Sequence, residues 1–481
     1  MNKEHKNSTV NRREPVPSAL TQATKKYENM SSCGSRLIIF SLLFISFSAY
    51  AQDIEASRLS TIKYGTETEI AALIQTLRTE SADYLDNELV TLIDNTRNTK
   101  ILSGVFAFFG EREKSGLEDR AIRAIEERDE EANETVLSAV DYLGMVKAGK
   151  AVPALMELLD TQESRFMNNA FRALGKASSA DKEKADEAAD FLIDFYTNRD
   201  VGSANARDVI IAIGETKSVK AVPLLTEIAS NTDERIPLRI AALEALSKVG
   251  DPAGLEAILA CVSTNDPNVR SAAVAALGPF SGDEVDKAIL DAFRDSYYRT
   301  RIAAAQASRE RKLTAAVPYL QFRAERDDVP NVKDEAVRAL GEIANDEAMS
   351  ILDNLFKERK NSDRIRLICA QMLMKNAGQK NLTRVVIELD EAKLKNQTAL
   401  YNGFLKIVGE AKIDGDTSEM EKLTRRFLQN GGIMEKLYGL DMAVNNELKG
   451  LSAEIKALTK DKNESLARKA RRTAERLGIE I

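Results

Sequence analysis

Apolar residues recur along most of this chain with the period of an α-helix. In one segment the apolar positions are spaced i, i+3, i+4, i+7 and i+8: Val269, Ala272, Ala273, Ala276 and Leu277. This spacing places them on a single helix face. The segment VPALMELL at 152–159 carries a similar stripe. The pattern predicts short amphipathic helices that must each bury one face.

The helical stripes belong to an internal repeat. The segment NVRSAAVAALG at 268–278 matches NVKDEAVRALG at 331–341 at seven of eleven positions. Further copies align on the residue that closes the stripe, and most steps between closing residues are 31 to 36 residues long. The closing residues are Phe109, Leu143, Leu174, Ile213, Leu246, Leu277, Ser308, Leu340, Leu373, Val408, Val444 and Leu477. A short repeat of this length indicates stacked structural units.

Proline and glycine mark the ends of the predicted helices. Pro153, Pro223 and Pro318 each follow Ala-Val and suit a first helical turn, where no backbone donor is lost. Asn265-Asp266-Pro267 separates two helices of one unit. A glycine follows most closing residues, and we expect it to end the helix in left-handed geometry. These glycines are Gly110, Gly144, Gly175, Gly214, Gly278, Gly341, Gly409 and Gly478.

The pattern therefore predicts that each unit is a helical hairpin. One hairpin alone cannot bury the apolar stripes of both its helices. Stacking on neighbouring hairpins completes the core, so the sequence predicts an all-α fold, an αα-superhelix (solenoid) of about 11–12 hairpins. The clearest repeats span 118–380, with divergent repeats or caps at 52–117 and 381–481. The long step from Leu174 to Ile213 predicts a polar loop insertion at 178–186.

The repeated units resemble the HEAT-repeat family, especially its short bacterial HEAT-like repeats. Asp266-x-x-x-Arg270 is the clearest copy of the family's Asp and Arg pair. The resemblance implies a solenoid whose second helices form a concave binding face. It also implies that repeated arginines pair with an Asp or a backbone carbonyl between repeats.

Composition excludes several classes of function. The net charge of −7 disfavours general binding of nucleic acid, because phosphates would be repelled. His5 is the only histidine; once a leader is removed, no histidine remains for a nucleophile system or an imidazole metal site. No Gly-rich phosphate loop follows a predicted strand. We therefore expect neither catalysis nor a cofactor, and a lyase-like HEAT enzyme is the least favoured alternative.

The N-terminus resembles an export signal. Residues 37–51 read LIIFSLLFISFSAYA and follow Arg36. Ala49 and Ala51 suit the −3 and −1 positions, so we expect cleavage after Ala51 and a periplasmic or secreted mature chain without a transmembrane helix. The alternative is an uncleaved anchor, although the run is shorter than the roughly 20 residues of a bilayer span. Met30 would begin an ordinary signal peptide, which indicates an overextended reading frame upstream.

Basic residues recur at one position of the predicted second helices. They are Arg239, Arg270, Arg301, Lys333 and Arg366. One interpretation is a basic ladder on the inner face that holds an acidic protein partner. The other is a set of structural ties between repeats. Tyr297, Tyr298 and Phe322 are candidate aromatic anchors for a partner; at least one of the two tyrosines is expected to be exposed.

The acidic segment 414–419, the cysteines and the basic C-terminal stretch could each have either a structural or a functional role. Asp414, Asp416 and Glu419 lack most ligands of an EF-hand loop, so a turn and a capping box at Ser418 and Glu421 are expected instead of calcium. Cys369 falls in the packed stripe, while a disulfide with Cys261 stays open. The stretch 449–481 has nine Lys/Arg and five Asp/Glu, which suits a solvated cap or weak contact with an anionic membrane surface.

The sequence thus predicts a non-catalytic scaffold of the cell envelope or periplasm that binds a protein partner on the concave face of its solenoid. The alternative is a membrane-surface or envelope-assembly module that uses the basic C-terminal end.

Overall fold

The computed structural model describes residues 54–80, 83–199 and 202–480. These residues form helices, and no strand occurs among them. The helices are α1 (54–64), α2 (Glu67–Glu80), α3 (Asp86–Asn95), α4 (Thr99–Gly110), α5 (Glu118–Glu126), α6 (Asn133–Met145), α7 (Val152–Asp160), α8 (Ser164–Ser178), α9 (Lys182–Asn198), α10 (Gly202–Thr216), α11 (Val222–Ser230), α12 (Ile236–Val249), α13 (Leu255–Cys261), α14 (Pro267–Ala276), α15 (Asp283–Ala292), α16 (Tyr298–Glu310), α17 (Val317–Arg326), α18 (Pro330–Ile343), α19 (Asp346–Lys357), α20 (Asp363–Leu394), α21 (Thr398–Glu410), α22 (Ser418–Asn430), α23 (Ile433–Asn445), α24 (Ser452–Leu458) and α25 (Glu464–Leu477). Short 3-10 turns lie at Gly149–Ala151, Val219–Ala221, Pro252–Gly254, Thr314–Ala316 and Lys449–Leu451.

The described residues form thirteen helix pairs stacked in single file, which confirms the predicted all-α solenoid. In each pair a first helix packs on a second helix, and each second helix also packs on the second helix of the next pair. The buried apolar residues form one cluster that runs from Ile62 to Leu477. No single pair encloses this core, so the pairs stabilise one another.

Local sequence signals set many of the helix ends. Pro153, Pro223 and Pro318 lie in the first turns of α7, α11 and α17, as the sequence predicts. The Asp266 side chain caps α14 by accepting hydrogen bonds from the backbone N–H groups of Asn268 and Val269, at 2.8 and 3.1 Å. Such caps satisfy backbone donors that the first helical turn leaves without partners.

The expected role of the repeated glycines is wrong for most of them. Only Gly478 of the eight has a positive φ, at 66°. Most of the others lie within a second helix and face the next one. A Cβ atom on Gly144 would lie 2.9 Å from the Cα of Ala173, and one on Gly175 would lie 2.5 Å from the carbonyl oxygen of Ala212. The missing side chain therefore lets successive second helices approach closely.

Two expected helix boundaries also differ from the structure. The extra residues between Leu174 and Ile213 do not form a polar loop, because Lys182 already begins the 17-residue helix α9. The expected capping box at Ser418 is absent: Thr417 is the N-cap residue of α22 and makes no side-chain cap hydrogen bond. Ser418 instead bonds to Asp416, through its backbone N–H at 2.9 Å and its hydroxyl at 3.1 Å.

One helix serves two repeats. Helix α20 has 32 residues: its N-terminal half is the second helix of one pair, and its C-terminal half is the first helix of the next. It runs through the predicted boundary at residue 380. In the following repeat, Ala443 is buried whereas the expected closing residue Val444 is only half-buried, so the stripe closes one residue earlier.

The two ends of the array differ from its middle. The last helix, α25, buries one apolar face and exposes Arg468, Arg472 and Arg476 on the other, as a terminal cap does. At the other end, Arg58 of α1 bonds to Glu80 of α2 at 2.7 Å, and this bond is the main cause of the lowered pKa of Glu80.

The predicted cleavage site at Ala51 and the alternative start at Met30 lie outside the described residues. Within the described ranges, no helix combines the length and the apolar character that a bilayer crossing requires.

Candidate partner-binding surface

The second helices line the inner face of the solenoid. They contact one another closely along the array, whereas successive first helices make fewer contacts. This difference in spacing curves the stack, with the second helices on the concave side. On many of these helices the residues six, five or two positions before the closing residue, which we call the presented positions, are half-buried or exposed, as Ser271, Ala272 and Ala275 are on α14. The character of the inner face therefore follows from those positions.

A groove crosses the inner face of the first repeats. It has a volume of about 750 Å³ and is formed by α2, α4 and α6. Its floor consists of residues with short or absent side chains: Ala71, Ala72, Ser103, Gly104, Ala107 and Ser138. A surface of this size and shape is in the range that holds a ligand or a segment of a partner. The groove exists because the presented positions of α2 and α4 are small.

Polar side chains form the walls of this groove. Arg78 donates a hydrogen bond from Nε to Glu111 at 3.1 Å, and this bond lowers the pKa of Glu111. The Asn98 amide donates to Glu67 at 2.8 Å. The Ser103 hydroxyl on the floor is buried and has no hydrogen-bond partner among the described residues. The groove thus offers short apolar contacts along its floor and polar groups at its edges.

The middle of the inner face is more apolar. Ile211, Ile240, Ala272 and Ile302 are half-buried, one on each of four successive second helices, and Ala275 is exposed. Ion pairs between neighbouring second helices flank this strip; Lys248, for example, bonds to Glu215 at 2.5 Å. Exposed ion pairs of this kind contribute little to stability. Between these ion pairs, the apolar strip is the part of the middle surface whose burial by a partner would contribute most to the free energy of binding.

Four of the five predicted basic residues are arginines tied into the repeat interfaces. Each lies seven positions before its closing residue and donates to a backbone carbonyl oxygen at or just after the end of its own first helix. Arg239 bonds to Ala229 at 3.0 Å and Arg366 to Phe356 at 3.4 Å. A cation near a helix C-terminus is also favoured by the helix dipole.

Three of these arginines also reach a carboxylate of the next repeat. Arg270 bonds to Asp295 at 2.8 Å, and Arg366 bonds to Glu388 at 2.5 Å. Burial alone would raise the pKa of Asp295, but the hydrogen bonds from Arg270 and the backbone of Tyr297 outweigh it, so the pKa is lowered. These side chains form the inter-repeat ties that the family resemblance implies.

Arg301 makes the most complete tie. It donates two hydrogen bonds of 2.8 Å to Asp327, whose side chain is fully buried, and one of 3.0 Å to Asp328. Its remaining donors bond to the carbonyl oxygens of Asp295 and Ser296, each at 3.1 Å. Lys333 donates to the Glu325 carbonyl oxygen near the end of α17 at 3.0 Å, but this bond is exposed, and among the described residues Lys333 bonds to no carboxylate.

The predicted aromatic anchors do not form one surface. Tyr297 and Tyr298 are both half-buried, with ring centroids 5.4 Å apart, and the Tyr297 hydroxyl donates to Asn268 at 2.9 Å. Neither is fully exposed, which differs from the expectation. Phe322 is 51% exposed and lies on the first helix α17, away from the inner face.

The remaining candidate groups do not form reactive sites. Cys261 and Cys369 are buried free thiols, and burial raises the pKa of Cys369 to about 12. Among the described residues, Asp414, Asp416 and Glu419 are not part of any group of acidic, Cys or His side chains that could hold a metal ion. The groove residues were not predicted, although small residues at the presented positions of α2 and α4 are the signal for them.

Comparison with protein families gives one match that covers most of the chain. The family described as spirochaete HEAT repeat protein matches residues 62–473. The chain belongs to this HEAT-repeat family. No curated protein gives a significant match.

Several solved structures align with this chain at low sequence identity. The Escherichia coli protein YibA is 16% identical, with a TM-score of 0.35, over 55% of this chain and 94% of its own. The karyopherin Kap121p is 12% identical, with a TM-score of 0.42, over 95% of this chain. This chain spans only 56% of that karyopherin. Human deoxyhypusine hydroxylase is 16% identical, with a TM-score of 0.25, over 53% of this chain and 96% of its own.

Proposed function

We propose that this HEAT-repeat protein is an exported, non-catalytic scaffold of the periplasm or cell envelope that binds a protein partner on its inner face. The observation that carries the proposal is the groove of about 750 Å³ across α2, α4 and α6. Three successive second helices contribute to it, so its shape depends on the stacked repeats and not on one mobile loop. A groove that packed helices form before a partner binds limits the entropic cost of binding.

The floor of the groove suits a segment of polypeptide. Gly104 and Ala107 project so little that a partner's main chain or apolar side chains can approach the helix backbone. Glu67, Arg78 and Lys100 at the walls supply charges of both signs. Such charges contribute to the orientation and specificity of a partner more than to its affinity. Binding energy in such interfaces is concentrated in a few well-packed positions, and we assign these to the groove.

Export supports placing the partner outside the cytoplasm. The apolar run 37–51 with Ala49 and Ala51 is the basis for this part of the proposal. The direct measurement is the intact mass and N-terminal peptide of the protein recovered from an envelope fraction. We expect a chain that begins at Gln52. A chain retained in the cytoplasm with residues before Gln52 would contradict export.

Crosslinking tests the groove. A photo-crosslinking residue placed at Ala107 should capture one specific protein, which mass spectrometry identifies. Ala275 is the matched control, because both alanines lie two positions before their closing residues and only Ala107 lies in the groove. Equal crosslinking yields and partners at both positions would argue against the groove.

Blocking the groove gives an independent test. Ser103→Arg fills the floor and should weaken binding of the identified partner by about ten-fold or more, because groove contacts are the assigned anchors. Ser271→Arg is the control, since Ser271 has the same register on α14 and should change the affinity by less than about three-fold. If both variants bind as the unmodified chain does, the groove is not the binding site.

A further inference from the structure

The loops that join first to second helices form one edge of the solenoid, and the charge of this edge reverses along the array. Seven of these loops carry eleven Asp/Glu and only four Lys/Arg: 96–98, 127–132, 161–163, 231–235, 262–266, 293–297 and 327–329. The last four loops carry five Lys/Arg and two Asp/Glu: 358–362, 395–397, 431–432 and 459–463. The edge is therefore acidic over most of its length and basic at its C-terminal end.

Large apolar side chains are exposed within the basic part of this edge. Leu394, the last residue of α20, is 83% exposed. Ile433 and Met434, the first residues of α23, are 54% and 53% exposed. The Lys393 ammonium bonds to the Glu435 carboxylate at 2.7 Å, which places the end of α20 beside the start of α23. The three apolar residues thus belong to one surface, the C-terminal edge.

Long basic side chains flank this apolar group. Arg359, Arg366 and Lys395 pair with Glu388 and Glu391, and the Asp363 carboxylate lines the same pocket, so the charges of this cluster balance. Lys393 and Lys395 lie on either side of Leu394 in the chain, and each is about half exposed. Long lysine side chains can keep their ammonium groups at the level of lipid headgroups while neighbouring apolar groups insert below them.

We propose that the C-terminal edge docks on an anionic lipid surface, with Leu394, Ile433 and Met434 inserted between the headgroups. Charge complementarity selects this occupant: the basic loops are attracted to anionic lipid, and the acidic loops of the earlier repeats are repelled. Contact by one end leaves the groove at the other end of the chain open to a protein partner. This inference does not depend on the identity or existence of that partner.

A single tryptophan tests the contact locally, because the chain contains no tryptophan. The emission of a Leu394→Trp variant should shift to shorter wavelength with vesicles that contain about 30 mol % phosphatidylglycerol, and much less with phosphatidylcholine alone. Ile236→Trp is the matched control: Ile236 is an exposed first residue of α12 and follows an acidic loop. No shift for Leu394→Trp with anionic vesicles, or an equal shift for Ile236→Trp, would overturn the proposal.

Vesicle flotation measures the affinity. The triple variant Leu394→Ser, Ile433→Ser, Met434→Ser should bind anionic vesicles about ten-fold more weakly than the unmodified chain, and Ile236→Ser should bind unchanged. All variants carry the same N-terminal residues, so any contribution of the segment 37–51 is common to them. If the triple variant binds as strongly as the unmodified chain, the proposal fails. It also fails if these substitutions instead dissociate a dimer while lipid binding is absent.

Discussion

Gly214 near the end of α10 lies against Ala245 of the next repeat. A Cβ atom on Gly214 would be 2.6 Å from the Cβ and 2.7 Å from the Cα of Ala245. Gly144 and Ala173 form the equivalent contact two repeats earlier. The glycine follows the closing residue of its own helix, and the alanine precedes the closing residue of the next. The two small residues therefore set the spacing of second helices on the inner face.

We expect Gly214→Ala to destabilise the protein. The added methyl group meets backbone atoms that cannot rotate away, which costs about 1–3 kcal/mol and is only partly offset by about 1 kcal/mol of helix propensity. Urea unfolding followed by circular dichroism gives the change in free energy. At Gly278 a Cβ atom would meet only the Glu310 carboxylate, which can move, so Gly278→Ala should lie within about 0.5 kcal/mol of the unmodified chain. Equal losses for both variants would exclude this packing role.

Removal of the Arg301 side chain should be costly. Arg301→Ala leaves the buried Asp327 carboxylate with only the 3.3 Å contact to Arg323 and the bond from the Val329 backbone. Loss of one partner of a buried ion pair typically costs 3–5 kcal/mol, and we expect about 3 kcal/mol because those contacts remain. Lys333→Ala removes one exposed bond and should cost less than about 1 kcal/mol. The urea unfolding midpoints of the Arg301→Ala and Lys333→Ala variants measure this difference. Similar midpoint changes would contradict a stabilising role for the ion pair between Arg301 and Asp327.

The Arg301 tie should also make stability depend on pH. Burial would raise the pKa of Asp327, but hydrogen bonds from Arg301 and the Val329 backbone outweigh it and lower the pKa. The stabilisation is therefore complete above the unfolded-state pKa of about 3.9 and is lost as the pH falls through the folded-state value. The difference in unfolding free energy between the unmodified chain and Asp327→Asn should shrink below about pH 4. A difference that stays constant from neutral to acid pH would contradict this.

The two cysteines should be inert in the folded protein. Burial raises the pKa of both thiols, and a thiol rather than a thiolate is a poor nucleophile. We expect Cys261 and Cys369 to be labelled by iodoacetamide only after denaturation, at yields that are the same with or without prior reduction. Peptide mass spectrometry quantifies each site. Rapid labelling of the folded chain, or labelling of the denatured chain only after reduction, would contradict the buried free thiols.

Features determined within one repeat were predictable from the sequence. The stripe that closes at Leu277, the proline at the start of α7 and the Asp266 cap each depend on a few neighbouring residues. The recurrence of Arg270 and Arg301 at one register also indicated the ties between repeats. These signals are local or strictly periodic, so one chain is enough to reveal them.

Features determined by contact between repeats were not predictable in the same way. The glycine after a closing residue resembles a helix terminator, and only the neighbouring helix shows that Gly214 makes room for Ala245. The groove likewise arises where small residues of α2 and α4 come together across two repeats. The exposure of Leu394 also depends on what lies beside the end of α20 in space.

Helix α20 has a mechanical consequence for the whole array. Asp363–Leu394 crosses this junction without an intervening loop, but it is not straight, because Arg366 near its start bonds to Glu388 near its end at 2.5 Å. A straight helix would hold these two residues about 33 Å apart. The helix therefore folds back between the two repeats, and the bonds from Arg359 and Arg366 to Glu388 hold its two halves together. The two repeats that share α20 should also lose their structure together, as a single cooperative segment, when the array is pulled from its ends.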